Sequence, residues 1–134
     1  MTNSNRKAAG TLLVCNDTGR FLLAKRGAGG SNPGTWAIVS GAIDTLPNGD
    51  LEKPLVAAIR ELDEETEIKP DNITFKFYET QTDMGGEFHL FLGYCGEELE
   101  CKLNDENTDW GWFDMESLPS PLFPTLKATL LRIF

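Results

Sequence analysis

The chain has 134 residues, which is enough for one domain with a sizeable hydrophobic core and no more. Its formal net charge of −9 argues against a protein that binds a nucleic acid polymer through a broad basic surface. No apolar run approaches the length of a membrane span, and the N-terminal segment 1–7 lacks the apolar core of a signal peptide. We therefore expect residues 1–134 to form a single soluble domain, with neither a membrane nor a nucleic acid polymer as a partner.

The first third of the chain is predicted to form short strands and a loop. Residues 8–15 and 20–26 flank Asn16-Asp17-Thr18-Gly19, a turn-forming sequence that predicts a β-hairpin. The glycine-rich segment 27–34 is typical of a loop, and residues 36–39 are predicted to form a further short strand.

A helix is predicted to begin at Pro54, because the missing N–H of a proline has no intrahelical partner in the first turn. Five residues recur at spacings of three and four and are expected to form its buried face: Leu55, Ala58, Ile59, Leu62 and Thr66. Glu61, Glu64 and Glu65 share a different arc of about 100°. Arg60 and Glu64 are i,i+4 neighbours and can form an ion pair.

The rest of the chain predicts a second hairpin, another strand and a closing helix. Residues 73–82 and 87–94 flank the turn sequence Asp83-Met84-Gly85-Gly86. Residues 110–113 are predicted to be a strand, and 122–133 an amphipathic helix. Strands that flank two well-separated helices suggest a mixed sheet with a helix on each face.

The acidic helix allows two interpretations. A cluster of carboxylate oxygens is the kind of ligand set that Mg²⁺ or Mn²⁺ prefers, whereas the same acids could simply form a solvated face. The wider pattern favours the metal site: Glu52, seven residues, Arg60-Glu61, an apolar residue, any residue, then Glu64-Glu65.

At these residues the chain resembles the Nudix hydrolase family, whose signature is Gly, five residues, Glu, seven residues, Arg-Glu-apolar-x-Glu-Glu-x-Gly-apolar. Segments 20–26, 33–36 and 112–119 also resemble that family. The resemblance implies an α/β/α sandwich with a mixed β-sheet between helices. It also implies hydrolysis of a phosphoanhydride bond in a nucleoside diphosphate derivative, with Mg²⁺ or Mn²⁺ as the cofactor.

Two features depart from the signature. The family's second glycine is Glu67 here, and that glycine normally ends the helix in a left-handed conformation. Ten residues, rather than five, separate Gly41 from Glu52, and the surplus lies around 46–50 with the turn signal Asn48-Gly49. We expect an enlarged loop that leaves the acidic residues in place.

The resemblance also implies roles for individual residues. Glu61, Glu64 and Glu65 would share metal ligation and the activation of water, with the identity of the general base left open. The backbone carbonyl of Ser40, just before the signature's first glycine, would add a ligand. Arg60 would orient the acidic cluster rather than touch the substrate.

Other segments supply further candidates. Glu106, in the loop before the last strand, is predicted to add a carboxylate, with Asp105 and Asp109 as alternatives and solvated loop charges as the simpler interpretation. Lys25 and Arg26 end a strand facing opposite ways, and we favour Arg26 as a phosphate ligand because a guanidinium can bond two oxygens at once. Four aromatic residues could stack on a base, although each is more often part of a core: Trp36, Phe75, Phe77 and Phe88. His89, the single histidine, is expected to be structural, with assistance to the general base as the alternative if its side chain faces the cleft.

The substrate class is predicted from residues that mark particular subgroups of the resembled family. Family members that cleave ADP-ribose tend to carry a proline about fifteen residues after the signature glycine, and dinucleoside polyphosphate hydrolases a tyrosine slightly later. Here these stretches read Thr82-Asp83-Met84 and Gly85-Gly86, and the coenzyme A signature is missing. These differences favour a nucleoside triphosphate or a nucleotide sugar.

Two other hypotheses are a non-catalytic nucleotide-binding module on the same fold, and a structural acidic helix in a partner-binding protein. The three cysteines, Cys15, Cys95 and Cys101, lack metal-ligand spacing and are expected to be reduced thiols of a cytoplasmic protein. No sequence feature indicates an oligomeric state.

Overall fold

The computed structural model describes residues 6–83 and 86–134. Three predictions fall partly on residues outside these ranges. The N-terminal segment that lacks a signal-peptide core includes residues 1–5, and both the second predicted turn and the substrate comparison include positions 84 and 85. Seven strands and two helices follow in chain order: β1 (Lys7–Cys15), β2 (Phe21–Arg26), β3 (Trp36–Ala37), β4 (Val39–Ala42), α1 (Pro54–Thr66), β5 (Thr74–Asp83), β6 (Gly86–Cys95), β7 (Asn107–Phe113) and α2 (Leu126–Ile133).

The strands form one mixed sheet in the order β3-β2-β1-β6-β5, with β4 also paired to β1 and β7 to β2. Strand β1 is central: it runs parallel to β6 and antiparallel to β2 and β4. Both predicted hairpins are present, β1 with β2 and β5 with β6. Because the helices cover opposite faces of an open sheet, the predicted α/β/α sandwich is confirmed.

Strand β1 supplies both layers of the core, since successive side chains of a strand point to opposite faces. Leu12 packs in a cluster with Leu126 and Leu130 of α2. Its neighbour Leu13 packs in a second cluster with Leu62 of α1. All five leucines are buried, so each helix is fixed to the sheet by apolar contacts with this central strand.

Helix α1 begins with Pro54 in its first turn, as predicted. Its buried face differs from the prediction, because Leu55 is exposed and Ala57 is buried, together with Ala58 as predicted. These two small side chains pack with Ala9 of β1, and they allow the helix to lie close to the sheet. The buried face is therefore rotated toward the glutamates, so that Glu61 and Glu65 point inward together with Leu62 and Thr66.

The helix ends at Thr66, and Glu67 adopts the left-handed conformation with φ 60° and ψ 18°. Its backbone N–H donates to the carbonyl of Asp63. Glu67 therefore takes the conformation for which the family uses glycine. A residue with a Cβ carries a strain of roughly 1 kcal/mol there.

Two predicted elements are shorter or interrupted. The strand predicted over 36–39 is broken at Ile38, so that β3 pairs with β2 and β4 with β1. The closing helix begins at Leu126 rather than residue 122, because the preceding segment is bonded to β3. Trp36 N donates to Pro121 O at 2.9 Å, and Phe123 N donates to Trp36 O at 2.9 Å. These backbone bonds hold the segment extended.

Neither helix in the described part of the chain has the length and apolarity needed to traverse a bilayer. The cysteines Cys15, Cys95 and Cys101 are buried free thiols. Burial raises the pKa of Cys101 to about 12, so its thiol is unreactive at neutral pH.

Candidate active site

A cleft of about 1210 Å³ opens beside β4 and the inward face of α1. Its lining includes Ser40, Gly41, Glu65, Glu106 and Arg26. The cleft therefore brings acidic and basic groups from distant parts of the chain to one surface.

Three carboxylates converge beside the cleft, and two of them belong to the lining residues Glu65 and Glu106. One oxygen from each of Glu61, Glu65 and Glu106 lies within 4.8 Å of the other two. Glu61 and Glu65 are one turn apart on α1 and are 7 % and 4 % exposed. Glu106 is exposed, and its carbonyl accepts a hydrogen bond from Gly27 N at 2.8 Å, which ties the loop before β7 to the end of β2.

The first glycine of the signature lies directly against this cluster. A Cβ atom on Gly41 would overlap the carboxyl group of Glu61, so only a glycine lets the buried carboxylate reach this position. Ser40, the residue before it, is paired with Gly10 of β1 and also lines the cleft.

The electrostatics of the cluster favour a bound cation or proton. Burial raises the pKa of Glu65 to about 9, the hydrogen bond from Asn107 opposes this shift, and the nearby Glu61 and Glu106 add to it. Burial also raises the pKa of Glu61, against the effect of Arg60. Asn107 Nδ2 donates to Glu65 Oε1 at 2.8 Å, whereas Glu65 Oε2 is buried without a hydrogen-bond partner among the described residues. A buried carboxylate oxygen without a partner is the atom that a divalent cation would satisfy.

Asn107 is a residue that the sequence analysis misses. The apolar pattern predicts the last strand from Trp110, whereas β7 starts at Asn107, and this places the Asn107 side chain inside. Its position beside Glu106 is the single sequence signal that points to it. Of the predicted alternatives to Glu106, Asp105 lines the cleft outside the three-carboxylate cluster, and Asp109 pairs with Lys25 between β7 and β2.

Arg60 connects the cluster to the segment before the helix. Its Nε and Nη2 donate to the two carboxylate oxygens of Glu52 at 2.9 and 2.8 Å. Its Nη1 donates to Glu61 Oε2 at 2.8 Å and to Glu64 Oε2 at 3.1 Å, and its Nη2 also donates to Ala42 O at 3.0 Å. With every contact directed at protein oxygens, Arg60 is placed to orient the carboxylates. Its hydrogen bonds lower the pKa of Glu52, which is 7 % exposed.

The longer loop before Glu52 leaves that residue anchored. Glu52 N donates to Asp44 O at 2.8 Å, and Asp44 N donates to Glu52 Oε1 at 3.1 Å. A bridge between Thr45 and Leu51 closes the loop just beyond this contact. The extra residues therefore form a turn beyond the bridge, with Gly49 at a positive φ of 90°.

Besides Arg60 and Ser40, two further predicted site residues lie outside the three-carboxylate cluster. The Glu64 side chain is 52 % exposed and bonds to Arg60. Arg26, rather than Lys25, lines the cleft. Its Nε donates to Ser31 O at 2.7 Å, and its guanidinium lies 5.4 Å from the ring centre of Phe123.

The four aromatic residues that could stack on a base lie in different parts of the structure. Phe88 lines the cleft, whereas Trp36 is buried in the core on the α2 side and Phe75 packs on the α1 side. Phe77 is exposed and packs edge-to-face against Phe91. The side chain of His89 contacts two neighbours: Nδ1 is 3.0 Å from Thr80 Oγ1, and Nε2 is 3.4 Å from Glu87 Oε1.

The chain matches a known family model and is similar to several solved structures. The NUDIX domain model matches residues 4–133. The fold is similar to a C. elegans Ap4A hydrolase, with a TM-score of 0.74 and 25% identity, covering 94% of this chain and 93% of that one. It is similar to a MutT NUDIX hydrolase from Burkholderia pseudomallei, with a TM-score of 0.71 and 25% identity, covering 97% and 98%. It is also similar in fold to the Nudix hydrolase RenU from M. smegmatis, with a TM-score of 0.76 and 24% identity, covering 96% and 84%. No curated protein sequence matches the chain.

Proposed function

This chain belongs to the NUDIX domain family of hydrolases, and from that membership we propose that it hydrolyses a phosphoanhydride bond in a nucleoside diphosphate derivative with the help of Mg²⁺ or Mn²⁺. The observation that carries the proposal is the convergence of Glu61, Glu65 and Glu106 beside a cleft large enough for a nucleotide.

The residues present fit a divalent cation. All three groups offer hard oxygen donors, which Mg²⁺ and Mn²⁺ prefer, and one of the oxygens of Glu65 is buried without a partner among the described residues. When bound, such a cation supplies positive charge that offsets the phosphate charge and lowers the pKa of water.

The protein groups then have distinct tasks. Glu61, Glu65 and Glu106 hold the cation, with the backbone carbonyl of Ser40 as a further ligand. Glu61, Glu64 and Glu65 are the candidates for accepting the proton of the attacking water. Glu64 differs from the other two because its side chain is exposed and bonds to Arg60.

The two arginines have different roles: Arg60 orients the glutamates, and Arg26 contacts the substrate. Arg60 holds Glu61 and Glu64 in fixed orientations through its two hydrogen bonds to them. Arg26 lines the cleft and is proposed to bind a phosphate of the substrate. The free thiols of the chain suit a reducing compartment, which supports the proposal of a cytoplasmic location.

The substrate class is a nucleoside triphosphate or a nucleotide sugar. The C. elegans relative is an Ap4A hydrolase, so a dinucleoside polyphosphate also belongs among the compounds to test. In every case the oxygen of water bonds to one phosphorus atom of a P–O–P linkage, the bond from that phosphorus to the bridging oxygen breaks, and the bridging oxygen leaves on the other phosphate while the water gives up a proton.

The test is a hydrolysis assay with these compounds and Mg²⁺ or Mn²⁺, in which the release of phosphate or pyrophosphate is followed. The wild type is compared with Glu65→Gln, and Glu67→Gln serves as the control because Glu67 is an exposed acid on the same helix end. We expect Glu65→Gln to lose about 100-fold or more in kcat and the control to keep its activity.

The other outcomes separate the competing hypotheses. Equal rates for the wild type and Glu65→Gln would contradict the proposed mechanism. Nucleotide binding without hydrolysis of any compound would favour the non-catalytic module. Activity or nucleotide binding that is the same with and without Mg²⁺ or Mn²⁺ would favour a structural acidic helix.

A further inference from the structure

The floor of the cleft is a row of residues that crosses four adjacent strands in register. Ala42 of β4 pairs with Ala8 of β1, Ala8 pairs with Phe88 of β6, and Phe88 pairs with Gln81 of β5. All four residues line the cleft. At about 4.8 Å per strand the row spans roughly 14 Å, which is the reach of a nucleotide from its phosphates to its base.

The two ends of this row differ in chemistry. At one end, Ala42 follows Gly41, which lies against the carboxyl group of Glu61. At the other end Phe88 and Gln81 offer an aromatic ring and an amide. A substrate whose phosphates lie at the acidic end would therefore present its base to Phe88 and Gln81.

The ring of Phe88 leans from its own strand across β1. A Cβ atom on Gly10 would lie 3.1 Å from Phe88 Cζ, so the tip of the ring covers the glycine backbone. The absence of a side chain at Gly10 leaves space for the ring on the floor of the cleft. A half-buried aromatic ring in this position can stack on a planar group.

The Gln81 amide is held in one orientation. Its Nε2 donates to Glu79 Oε2 at 2.7 Å and to Thr129 Oγ1 at 2.9 Å, which uses both N–H groups. A rotated amide would place its oxygen against the Glu79 carboxylate, and that carboxylate can only accept. The hydrogen bond from Arg132 lowers the pKa of Glu79 and keeps it ionised.

This orientation leaves Gln81 Oε1 as the free acceptor. Within residues 6–83 and 86–134 no group donates a hydrogen bond to this atom. The hydroxyl of Thr129 is also committed, because it donates to Thr125 O at 3.2 Å. A ligand that stacks on Phe88 therefore meets an acceptor at Gln81 and needs a donor at its edge.

We infer that Phe88 and Gln81 form the nucleobase subsite of this enzyme, and that Gln81 Oε1 selects bases with an amino group at C6 of a purine or C4 of a pyrimidine over the bases with a keto oxygen at that position. The inference rests on the proposed function, and it narrows the substrate to adenine or cytosine nucleotides in preference to hypoxanthine or uracil nucleotides. An amino group donates to Gln81 Oε1, whereas a keto oxygen in the same place faces a second acceptor.

The test compares pairs of nucleotides that differ in this group. Hydrolysis of ATP is compared with ITP, and of CTP with UTP, as kcat/KM in Mg²⁺. Binding of AMP against IMP, and of CMP against UMP, is measured by calorimetry. We expect the wild type to prefer each amino nucleotide by about tenfold in both measurements.

Two variants and a control test the role of the amide. Gln81→Met keeps the side-chain length but removes the acceptor, and the preference should fall to about one. Glu79→Gln lets the Gln81 amide turn, because residue 79 can then donate, and it should raise the rate with ITP and UTP relative to ATP and CTP. Thr80→Val is the matched control on the same strand, and the preference should stay unchanged.

The outcomes distinguish this inference from the proposed function. A wild type without a preference, or a folded Gln81→Met variant that keeps it, would overturn the inference even if hydrolysis is observed. A Glu79→Gln variant with the wild-type preference would also contradict it. A tenfold preference for AMP over IMP, without hydrolysis of any triphosphate, nucleotide sugar or dinucleoside polyphosphate, would support the subsite and refute the proposed reaction.

Discussion

Arg60 and Glu52 form a two-pronged ion pair, with Nε–Oε2 and Nη2–Oε1 distances of 2.9 and 2.8 Å. Glu52 is buried, so the removal of Arg60 leaves a buried carboxylate without its cation. We expect Arg60→Ala to lower the free energy of unfolding by roughly 2–4 kcal/mol, below the largest values for buried pairs because the Arg60 side chain is 26% exposed. Urea unfolding measures this loss.

The double variant Glu52→Gln/Arg60→Ala is the control for that prediction. It removes the buried charge together with its partner, so it should be more stable than Arg60→Ala alone. Equal or lower stability of the double variant would show that the unpaired carboxylate is not the cause.

Gly41 is predicted to be required for the acidic cluster. A Cβ atom at this position would overlap the carboxyl group of Glu61 and displace it from Glu65 and Glu106. We expect Gly41→Ala to weaken Mn²⁺ binding at least tenfold, as measured by calorimetry. Gly96→Ala is the control, since a Cβ atom there meets no other atom within 4 Å. Equal affinities of the two variants would contradict the prediction.

Glu67 is predicted to carry conformational strain that glycine would remove. Its φ of 60° lies in the left-handed region, which costs a residue with a Cβ about 1 kcal/mol. Relief of this strain stabilises the folded protein, whereas the greater conformational freedom of glycine in the unfolded chain opposes that gain. We expect Glu67→Gly to raise the free energy of unfolding by a net amount of roughly a few tenths to 1 kcal/mol. Glu67→Ala keeps the Cβ and should show no such gain in the same urea titration. An equal gain in both variants would assign the effect to the lost charge instead.

Stability in the absence of divalent metal is predicted to fall as the pH rises. Burial raises the pKa of Glu65 to about 9 from an ordinary value of 4.5. The folded protein therefore binds more protons than the unfolded chain between these values, and its extra stability is lost as the pH rises through this window. Thermal unfolding in a chelator between pH 5 and 9 measures the trend.

Glu65→Gln is the control for the pH prediction, because the amide does not titrate and the slope should flatten. Glu52 and Glu79 have lowered pKa values, so their contribution is lost only as the pH falls below 4.5, outside the measured range. A wild-type slope that matches that of the variant would refute the role of Glu65. Added Mg²⁺ should also reduce the wild-type slope, since the cation competes with the proton.

The sequence predicts well whatever depends on local spacing. Glu61 and Glu65 lie one helical turn apart, so their convergence follows from the period of the helix once Pro54 fixes its start. The α/β/α architecture and both hairpins follow in the same way from periodicity and turn residues. The roles of Ser40, Arg26 and the individual glutamates in catalysis stay predictions.

Features that depend on tertiary contacts could not be predicted. The side chain of Asn107 points inward because β7 extends three residues beyond the apolar pattern to pair with Arg26. The closing helix starts late because the backbone of Trp36 holds the preceding segment. Leu55 is exposed because the helix packs through Ala57 and Ala58, and apolar spacing alone does not reveal which side of a helix approaches the sheet most closely.

The backbone bridge between Thr45 and Leu51 closes the loop of residues 46–50. The position of Glu52 therefore does not depend on the length of that loop. Residues 46–50 can therefore be lengthened or exchanged while the anchoring contacts between Asp44 and Glu52 persist. Because Leu51 lines the cleft, a fluorescent group attached within 46–50 would report on ligands that enter. The surplus that distinguishes this chain from its family signature thus provides a natural attachment point for a sensor.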